Sequence, residues 1–135
     1  MSAFVDARSD AVGDSLHAPV VIVGAGAAGI TLARELAAKR QRVLLIESGG
    51  EKLEGQTQGL YVAPNTGNPY YDLASCRLRY FGGTTNHWGG FCRANDPIDY
   101  EGRPELGLPP WPVSREALAP YIARAASLLE IDSQF

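Results

Sequence analysis

The segment between residues 20 and 50 constrains the fold more than any other part of the chain. Four β-forming residues, 20–23, lead directly into a glycine pattern at Gly24, Gly26 and Gly29, and a second apolar run ends at Glu47. Between the two runs, apolar residues recur at the i, i+3, i+4 and i+7 spacing of one helical face. Because parallel strands buried on both faces appear as unbroken apolar runs, we predict a β–α–β unit whose first strand is central.

The residue types in the glycine pattern match the needs of a dinucleotide. Gly24 allows a tight turn from strand to helix, Gly26 lacks the Cβ that would block a pyrophosphate, and Gly29 allows close packing of helix and strand. The backbone amides of the first helical turn, which includes Ala27 and Ala28, would then hold the phosphates.

The end of the second apolar run indicates which dinucleotide would bind. Glu47 lies about 20 residues beyond the first glycine, the spacing at which an acidic side chain meets an adenosine ribose. Its carboxylate and the hydroxyl of Ser48 are candidate ribose contacts. The residues that follow, through Gly50, include no Arg or Lys for a 2′-phosphate, so NADP is the least favoured occupant.

A second glycine-rich motif, RLRYFGGTTNHWGG, spans residues 77–90. It could be a plain surface loop, but hydrogen-bonding side chains, an imidazole and an indole are concentrated in it, which favours contact with a ligand. Flanking glycines would allow the backbone to lie flat against a planar group. Its candidate cofactor-binding residues are Arg79, Gly82, Gly83, Thr84, Thr85, Asn86, His87 and Trp88.

Three motifs together, ESGG, GGTTNHWGG and WPVSREALAPYIARA, resemble the N-terminal part of the glucose-methanol-choline (GMC) flavoprotein oxidoreductases. The resemblance is greatest to bacterial sugar and alcohol dehydrogenases and to pyranose oxidase. It implies FAD in place of NAD, with Gly24, Gly26 and Gly29 at the pyrophosphate, Glu47 at the ribose and residues 82–88 beside the isoalloxazine. The implied fold is α/β, a Rossmann-like β–α–β FAD-binding unit that is the N-terminal portion of a larger two-domain flavoprotein.

The resemblance also raises a specific role for His87. In pyranose and choline oxidases, the corresponding histidine is bonded to the flavin 8α-methyl group. For His87 we favour a non-covalent flavin contact, while a covalent link and a purely structural role remain alternatives.

The activity implied by the resemblance is oxidation of a CH–OH group in a sugar or alcohol, with hydride transfer to the flavin. A histidine elsewhere in such enzymes removes the hydroxyl proton, and a general base must reach that proton. The chain contains two histidines, His17 and His87, and neither suits this role, so we assign no catalytic residue. We therefore expect an FAD-binding portion, inactive alone, completed by a companion chain or a missing C-terminal part.

Two other functions remain open. A nicotinamide-binding domain of another oxidoreductase would account for the first glycine motif and leave the second unexplained. A non-catalytic remnant or assembly partner would keep the β–α–β unit without a functioning site.

Composition and local sequence limit the classes of partner and the cellular location that we expect for this chain. The net charge of −3 and the scattered Lys and Arg residues exclude a nucleic-acid surface, and no apolar stretch approaches the length of a membrane span. Residues 1–18 lack the pattern of a signal peptide, and this absence favours a cytoplasmic location. We predict that these residues are a mobile leader and that residues 19–135 form the FAD-binding portion. The two cysteines, Cys76 and Cys92, have no metal-ligand spacing and are expected to be buried free thiols, so we predict no metal site.

Local patterns give further expectations. Residues 51–69 are turn-rich and show almost no helical periodicity. Arg40 stands where many dinucleotide-binding fingerprints have glycine. Near the C-terminus, Ser114 can cap a helix, Pro120 suits the first turn of a following helix, and a face containing Tyr121 and Leu128 is expected to pack.

Overall fold

The computed structural model describes residues 4–9, 13 and 15–131. The chain divides into two compact units, Met1–Gly89 and Gly90–Phe135. All the residues predicted to bind a cofactor belong to the first unit.

The first unit is built on two parallel strands and the helix that connects them. Strand β1 spans Val20–Val23, helix α1 spans Ala27–Ala38 and strand β2 spans Val43–Ile46. The strands pair in register from Val20 opposite Val43 to Val23 opposite Ile46. The predicted fold class, an incomplete Rossmann-like β–α–β unit, is confirmed.

The burial of β1 differs from the prediction. Ile22 is 8% exposed and lies beside α1, whereas Val21 and Val23 on the opposite face are 48% and 83% exposed. Among the described residues, the sheet consists of β1 and β2, and the exposure of Val21 and Val23 shows that the face of β1 opposite α1 is not covered. The prediction of a strand buried on both faces is therefore wrong for this chain, because burial depends on neighbouring elements that an apolar run does not supply.

Helix α1 ends in a Schellman motif. The amide of Arg40 donates to the carbonyl of Ala37 at 2.8 Å, and the amide of Gln41 donates to that of Leu36 at 3.0 Å. Arg40 adopts a φ of +61°, the left-handed conformation that glycine favours at this position. The turn therefore has the geometry that glycine would give it, at a cost in backbone strain.

Short helical segments follow β2 in the first unit. Helix α2 spans Gly55–Gln58 and continues into a 3-10 helix at Gly59–Tyr61, helix α3 spans Leu73–Cys76, and a second 3-10 helix spans Gly83–His87. The turn-rich stretch 51–69 thus contains local helix, which its sequence pattern did not indicate because the segments are too short to show a periodicity.

The second unit contains helix α4 at Pro97–Tyr100, a 3-10 helix at Pro104–Leu106 and helix α5 at Arg115–Leu128. The amide of Ala117 donates to the Ser114 hydroxyl at 3.2 Å, as expected for an N-cap. Pro120 lies inside α5 and does not begin a new helix. Ala126 is the buried residue of this helix, whereas Tyr121 of the predicted face is 62% exposed.

Other predictions can be compared with the described part of the chain. No helix within it has the length and apolarity needed to cross a membrane. Cys76 is a half-buried free thiol, and Cys92 is exposed, so the prediction that both are buried is wrong for Cys92. Across residues 4–9, 13 and 15–131, no group of three or more His, Cys, Asp or Glu residues could hold a metal ion.

Candidate functional site

The carboxyl ends of β1 and β2 lie side by side, next to the first glycine turn. The amide of Gly24 donates to the carbonyl of Ile46 at 2.7 Å, which ties the first glycine turn to the end of β2. Gly24 has a φ of +100°, a conformation that a side chain at this position would strain. The chain can therefore turn from β1 into α1 within three residues.

Gly26 and Gly29 meet different structural demands. A Cβ built on Gly29 would overlap the carbonyl oxygen of Gly24 and lie 3.4 Å from Ile22 Cγ2. A Cβ built on Gly26 would have no neighbour within 4 Å. Gly29 is therefore required by packing, whereas Gly26 keeps open a space that the protein itself does not fill.

The N-terminus of α1 faces that space. Gly26 is the N-cap residue, and within the described chain no side chain caps it and no acidic residue lies in the first turn. Ala27 and Ala28 follow it as exposed residues. The first amides of a helix have no partner within the helix and carry its positive dipole end, so this position suits an anion.

Glu47 connects the turns that follow the two strands. Its Oε2 accepts a hydrogen bond from the amide of Ala25 at 2.8 Å, and its Oε1 accepts from the amide of Gly49 at 3.0 Å and from the Ser48 hydroxyl at 3.3 Å. A carboxylate offers about four acceptor positions, so Oε2 keeps one for a ligand hydroxyl. In this fold Glu47 thus shapes the glycine turn as well as offering an acceptor beside it.

The two glycine motifs meet through backbone hydrogen bonds. The amide of Gly82 donates to the carbonyl of Ala25 at 2.8 Å, which forms a parallel bridge between Gly26 and Gly82. One residue earlier, the amide of Phe81 donates to the carbonyl of Gly50 at 2.9 Å. The second motif is therefore fixed against the turns after both strands.

Local hydrogen bonds hold the start of the second motif in a compact turn. Gly82 and Gly83 both have positive φ, 91° and 61°, and a Cβ on Gly82 would meet the side chain of Asn86. Asn86 Nδ2 donates to the carbonyl of Phe81 at 2.7 Å, and the Thr85 hydroxyl donates to the carbonyl of Gly82 at 2.5 Å. Both glycines are thus needed for the shape of the turn.

His87 and Trp88 lie at the exposed end of this turn. The His87 ring contacts Tyr80 edge to face, with ring centroids 6.2 Å apart, and Trp88 is 43% exposed. Both rings are accessible to a planar ligand.

A cleft of about 550 Å³ lies where the glycine motifs meet. It brings together part of the predicted site with apolar residues of β1 and α1 that the sequence did not single out. The predicted residues Glu47, Ser48, Arg79, Gly83, Asn86, His87 and Trp88 are not part of its lining. Its lining residues are Ile22, Val23, Gly24, Gly26, Ala27, Ala28, Gly29, Leu32, Gly82, Thr84 and Thr85.

Arg79 lies beside the turn after β2. Its Nη1 donates to the Ser48 hydroxyl at 2.9 Å, and its guanidinium carbon lies 4.1 Å from the centroid of the Tyr61 ring. Its Nε is buried and has no hydrogen-bond partner within the described chain. The fold therefore brings a cation from a distant part of the sequence to this turn, so the lack of Arg or Lys in residues 48–50 does not by itself disfavour NADP.

Gln58 is an important residue that the sequence did not reveal. Its Nε2 donates to the carbonyls of Ala74 and Arg77, each at 2.6 Å, and its Oε1 accepts from the amide of Arg79 at 3.0 Å. One amide side chain thus satisfies three backbone groups leading into the second motif. No sequence pattern signals such a role, because it depends on long-range contacts.

Residues of the predicted leader also reach this region. Arg8 pairs with Asp6 and with Glu54, and the Phe4 ring contacts Phe81 edge to face at a centroid distance of 6.1 Å. The division between a mobile leader and residues 19–135 stays a prediction.

Comparison with known proteins identifies the family. Neither the curated proteins nor the solved structures include a match to the chain. Residues 19–134 match the family described as FAD dependent oxidoreductase. This match covers both glycine motifs and most of the chain, so the chain belongs to the FAD dependent oxidoreductase family.

Proposed function

We propose that this chain is the FAD-binding portion of a GMC-type oxidoreductase that acts on CH–OH groups of a sugar or alcohol. The observation that carries the proposal is the hydrogen bond from the Gly82 amide to the Ala25 carbonyl, at 2.8 Å. It joins a dinucleotide turn to a second motif rich in ring and hydroxyl side chains. A nicotinamide-binding domain would have no evident use for that second motif.

The open space at Gly26 is suited to the pyrophosphate of FAD. Apart from the adjacent residues of the chain, no protein atom would lie within 4 Å of a Cβ there, and the amides of Ala27 and Ala28 follow at the start of α1. Fixed amides at a helix N-terminus stabilise phosphate charge without a basic side chain. Glu47, half-buried beside the same turn, would accept a hydrogen bond from the adenosine ribose.

The second motif would lie beside the isoalloxazine ring. Gly82 and Gly83 expose backbone without side chains, and the exposed His87 and Trp88 provide ring surfaces for contact. When bound, FAD would supply the acceptor for the hydride that leaves the carbinol carbon. We assign His87 a non-covalent contact with the flavin.

The residue that removes the hydroxyl proton would come from outside this chain. His87 belongs to the flavin-contact motif, and His17 lies within hydrogen-bonding distance of Ser15, at 3.2 Å, in the segment preceding β1. We therefore assign neither histidine to the removal of the hydroxyl proton. We therefore propose that a companion chain or a C-terminal part supplies the base and the sugar or alcohol site.

An absorption spectrum of the purified chain, reconstituted with FAD and freed of excess cofactor, tests this proposal. We expect flavin bands that acid precipitation releases into the supernatant. Colour that stays in the pellet would contradict the non-covalent assignment and favour a covalent link, for which His87 is the candidate residue. Retention of NAD without FAD would favour the nicotinamide alternative, and retention of neither would favour the remnant.

The variant Gly26→Ser tests the phosphate position. Serine is a favoured N-cap and adopts the extended conformation of Gly26, so the fold should persist. Its side chain would occupy the pyrophosphate space and bond to the amides that the phosphates need. We expect loss of FAD retention, and unchanged retention would refute the assignment of Gly26.

A further inference from the structure

Gly50 is a junction between the turn after β2, the second motif and the N-terminal segment 4–9. Its carbonyl accepts the hydrogen bond from the Phe81 amide at 2.9 Å. A Cβ built on Gly50 would lie 2.9 Å from Glu54 Oε1 and 3.1 Å from Arg8 Nη2. The Arg8–Glu54 pair therefore lies directly against the backbone that carries the Glu47 turn.

Arg8 is held on both sides. Its Nε and Nη2 donate to the two carboxylate oxygens of Asp6 at 2.9 and 2.7 Å, and its Nη1 donates to Glu54 Oε2 at 2.5 Å. The bidentate geometry fixes the plane of the guanidinium, which a single contact would not do. Glu54 also precedes α2 directly and is its N-cap residue.

The same segment makes a second contact with the site. Phe4 meets Phe81 edge to face, at a centroid distance of 6.1 Å and an interplanar angle of 81°. Phe81 in turn precedes Gly82, whose amide reaches the first glycine turn. Residues 4–9 thus contact both sides of the backbone junction at Gly50, one side through charge and the other through an aromatic ring.

We propose that residues 4–9 form a strap that holds the turn after β2 in the shape that binds adenosine, with Arg8 as its positioning residue. The strap does not touch the cofactor. It acts through Glu54 and Phe81 on Gly50, three residues beyond Glu47. The effect of the strap on FAD affinity rests on the proposed function. Its effect on the order of the backbone around Gly50 does not.

Binding measurements on three variants and a matched control test the strap. FAD affinity is measured by flavin fluorescence titration for Arg8→Met, Glu54→Gln and the double variant. Arg34→Met is the control, because it removes the same charge from an exposed position on α1. Each strap variant should raise the Kd about threefold to fivefold, which corresponds to the loss of exposed ion pairs. The double variant should bind FAD no more weakly than either single variant, and Arg34→Met should change the Kd less than the strap variants do.

The Glu54→Gln variant distinguishes loss of the strap from a general effect of net charge on FAD binding. Removing a negative charge would strengthen binding of anionic FAD if only net charge mattered, whereas loss of the strap weakens it. Tighter binding by Glu54→Gln, or equal Kd values for Arg8→Met and Arg34→Met, would overturn the proposal. Urea unfolding of the cofactor-free variants measures the stability that the ion pairs contribute. It also gives the folded fraction for each titration, so that a loss of global stability is not mistaken for a loss of affinity.

Amide hydrogen exchange, measured in the absence of FAD, tests the strap independently of the proposed function. If the strap orders the junction, Arg8→Met should speed exchange of the Phe81 amide, which bonds to Gly50, and leave the β1 amides unchanged. Unchanged exchange at Phe81 would overturn the strap. Failure of the wild-type chain to bind FAD, with faster exchange in Arg8→Met, would refute the proposed function and retain the strap.

Discussion

Gly29→Ala is the substitution for which the structure gives the most definite outcome. The new Cβ would overlap the carbonyl oxygen of Gly24 and lie 3.1 Å from its carbonyl carbon and 3.4 Å from Ile22 Cγ2. Gly24 cannot rotate away freely, because its amide is bonded to the Ile46 carbonyl at 2.7 Å. Helix α1 must therefore move away from β1 to accommodate one methyl group.

Two opposing effects set the magnitude. Alanine is favoured over glycine inside a helix by about 1 kcal/mol. Overpacking against a fixed backbone costs about 3 kcal/mol, the upper part of the usual range. We therefore expect Gly29→Ala to lower the free energy of unfolding by about 2 kcal/mol, or about 30-fold in the folding equilibrium.

Urea unfolding followed by far-UV circular dichroism measures this change. Gly59→Ala is the matched control, because Gly59 has a φ of −59° and a Cβ there would meet nothing within 4 Å. The control should be neutral or slightly stabilising, since alanine restricts the unfolded chain. A Gly29→Ala chain as stable as the wild type would refute the packing role assigned to this glycine.

Four further predictions follow from local geometry. Arg40→Gly should stabilise the chain by about 1 kcal/mol by relieving the φ of +61°, and a lower thermal midpoint would contradict this reading. Gln58→Ala should lower the free energy of unfolding, measured in urea, by about 2 kcal/mol, because two carbonyls and one amide lose their partner. An unchanged free energy of unfolding would contradict the stabilising role assigned to Gln58. Ser114→Ala should cost about 1 kcal/mol of stability through loss of the N-cap of α5, detectable by circular dichroism as earlier loss of helix on heating. Hydrogen bonds from Arg8 lower the pKa of Asp6 from 3.8 to about 2, so its contribution to stability is complete above pH 3.8 and is lost as the pH falls towards 2; urea titrations of wild type and Asp6→Asn should converge over that interval.

The sequence predicted the elements whose signals are local. The apolar runs predict β1 and β2, the helical stripe between them predicts α1, and Ser114 caps α5 as its sequence position predicts. These features depend on residues within one or two turns of each other. Arg40 departs from the glycine expected by the fingerprint, and its positive φ explains why glycine is common there.

The sequence did not predict features that depend on long-range contacts. The exposure of Val23 follows from the lack of a covering element among the described residues, which an apolar run cannot reveal. Arg79 reaches Ser48 across 31 positions, and Gln58 reaches the Arg79 amide across 21 positions. Pro120 suits the first turn of a helix by its local sequence, but α5 begins earlier, at the Ser114 cap, and continues through Pro120.

Equilibrium binding of FAD to the wild-type chain and to Gly26→Ser tests the central claim most directly. We predict saturable binding to the wild type, loss of binding in Gly26→Ser, and little competition from NAD at equal concentration. Equal FAD affinity in the two chains, with unfolding curves that show both to be folded, would contradict the assignment of the α1 N-terminus as the pyrophosphate site.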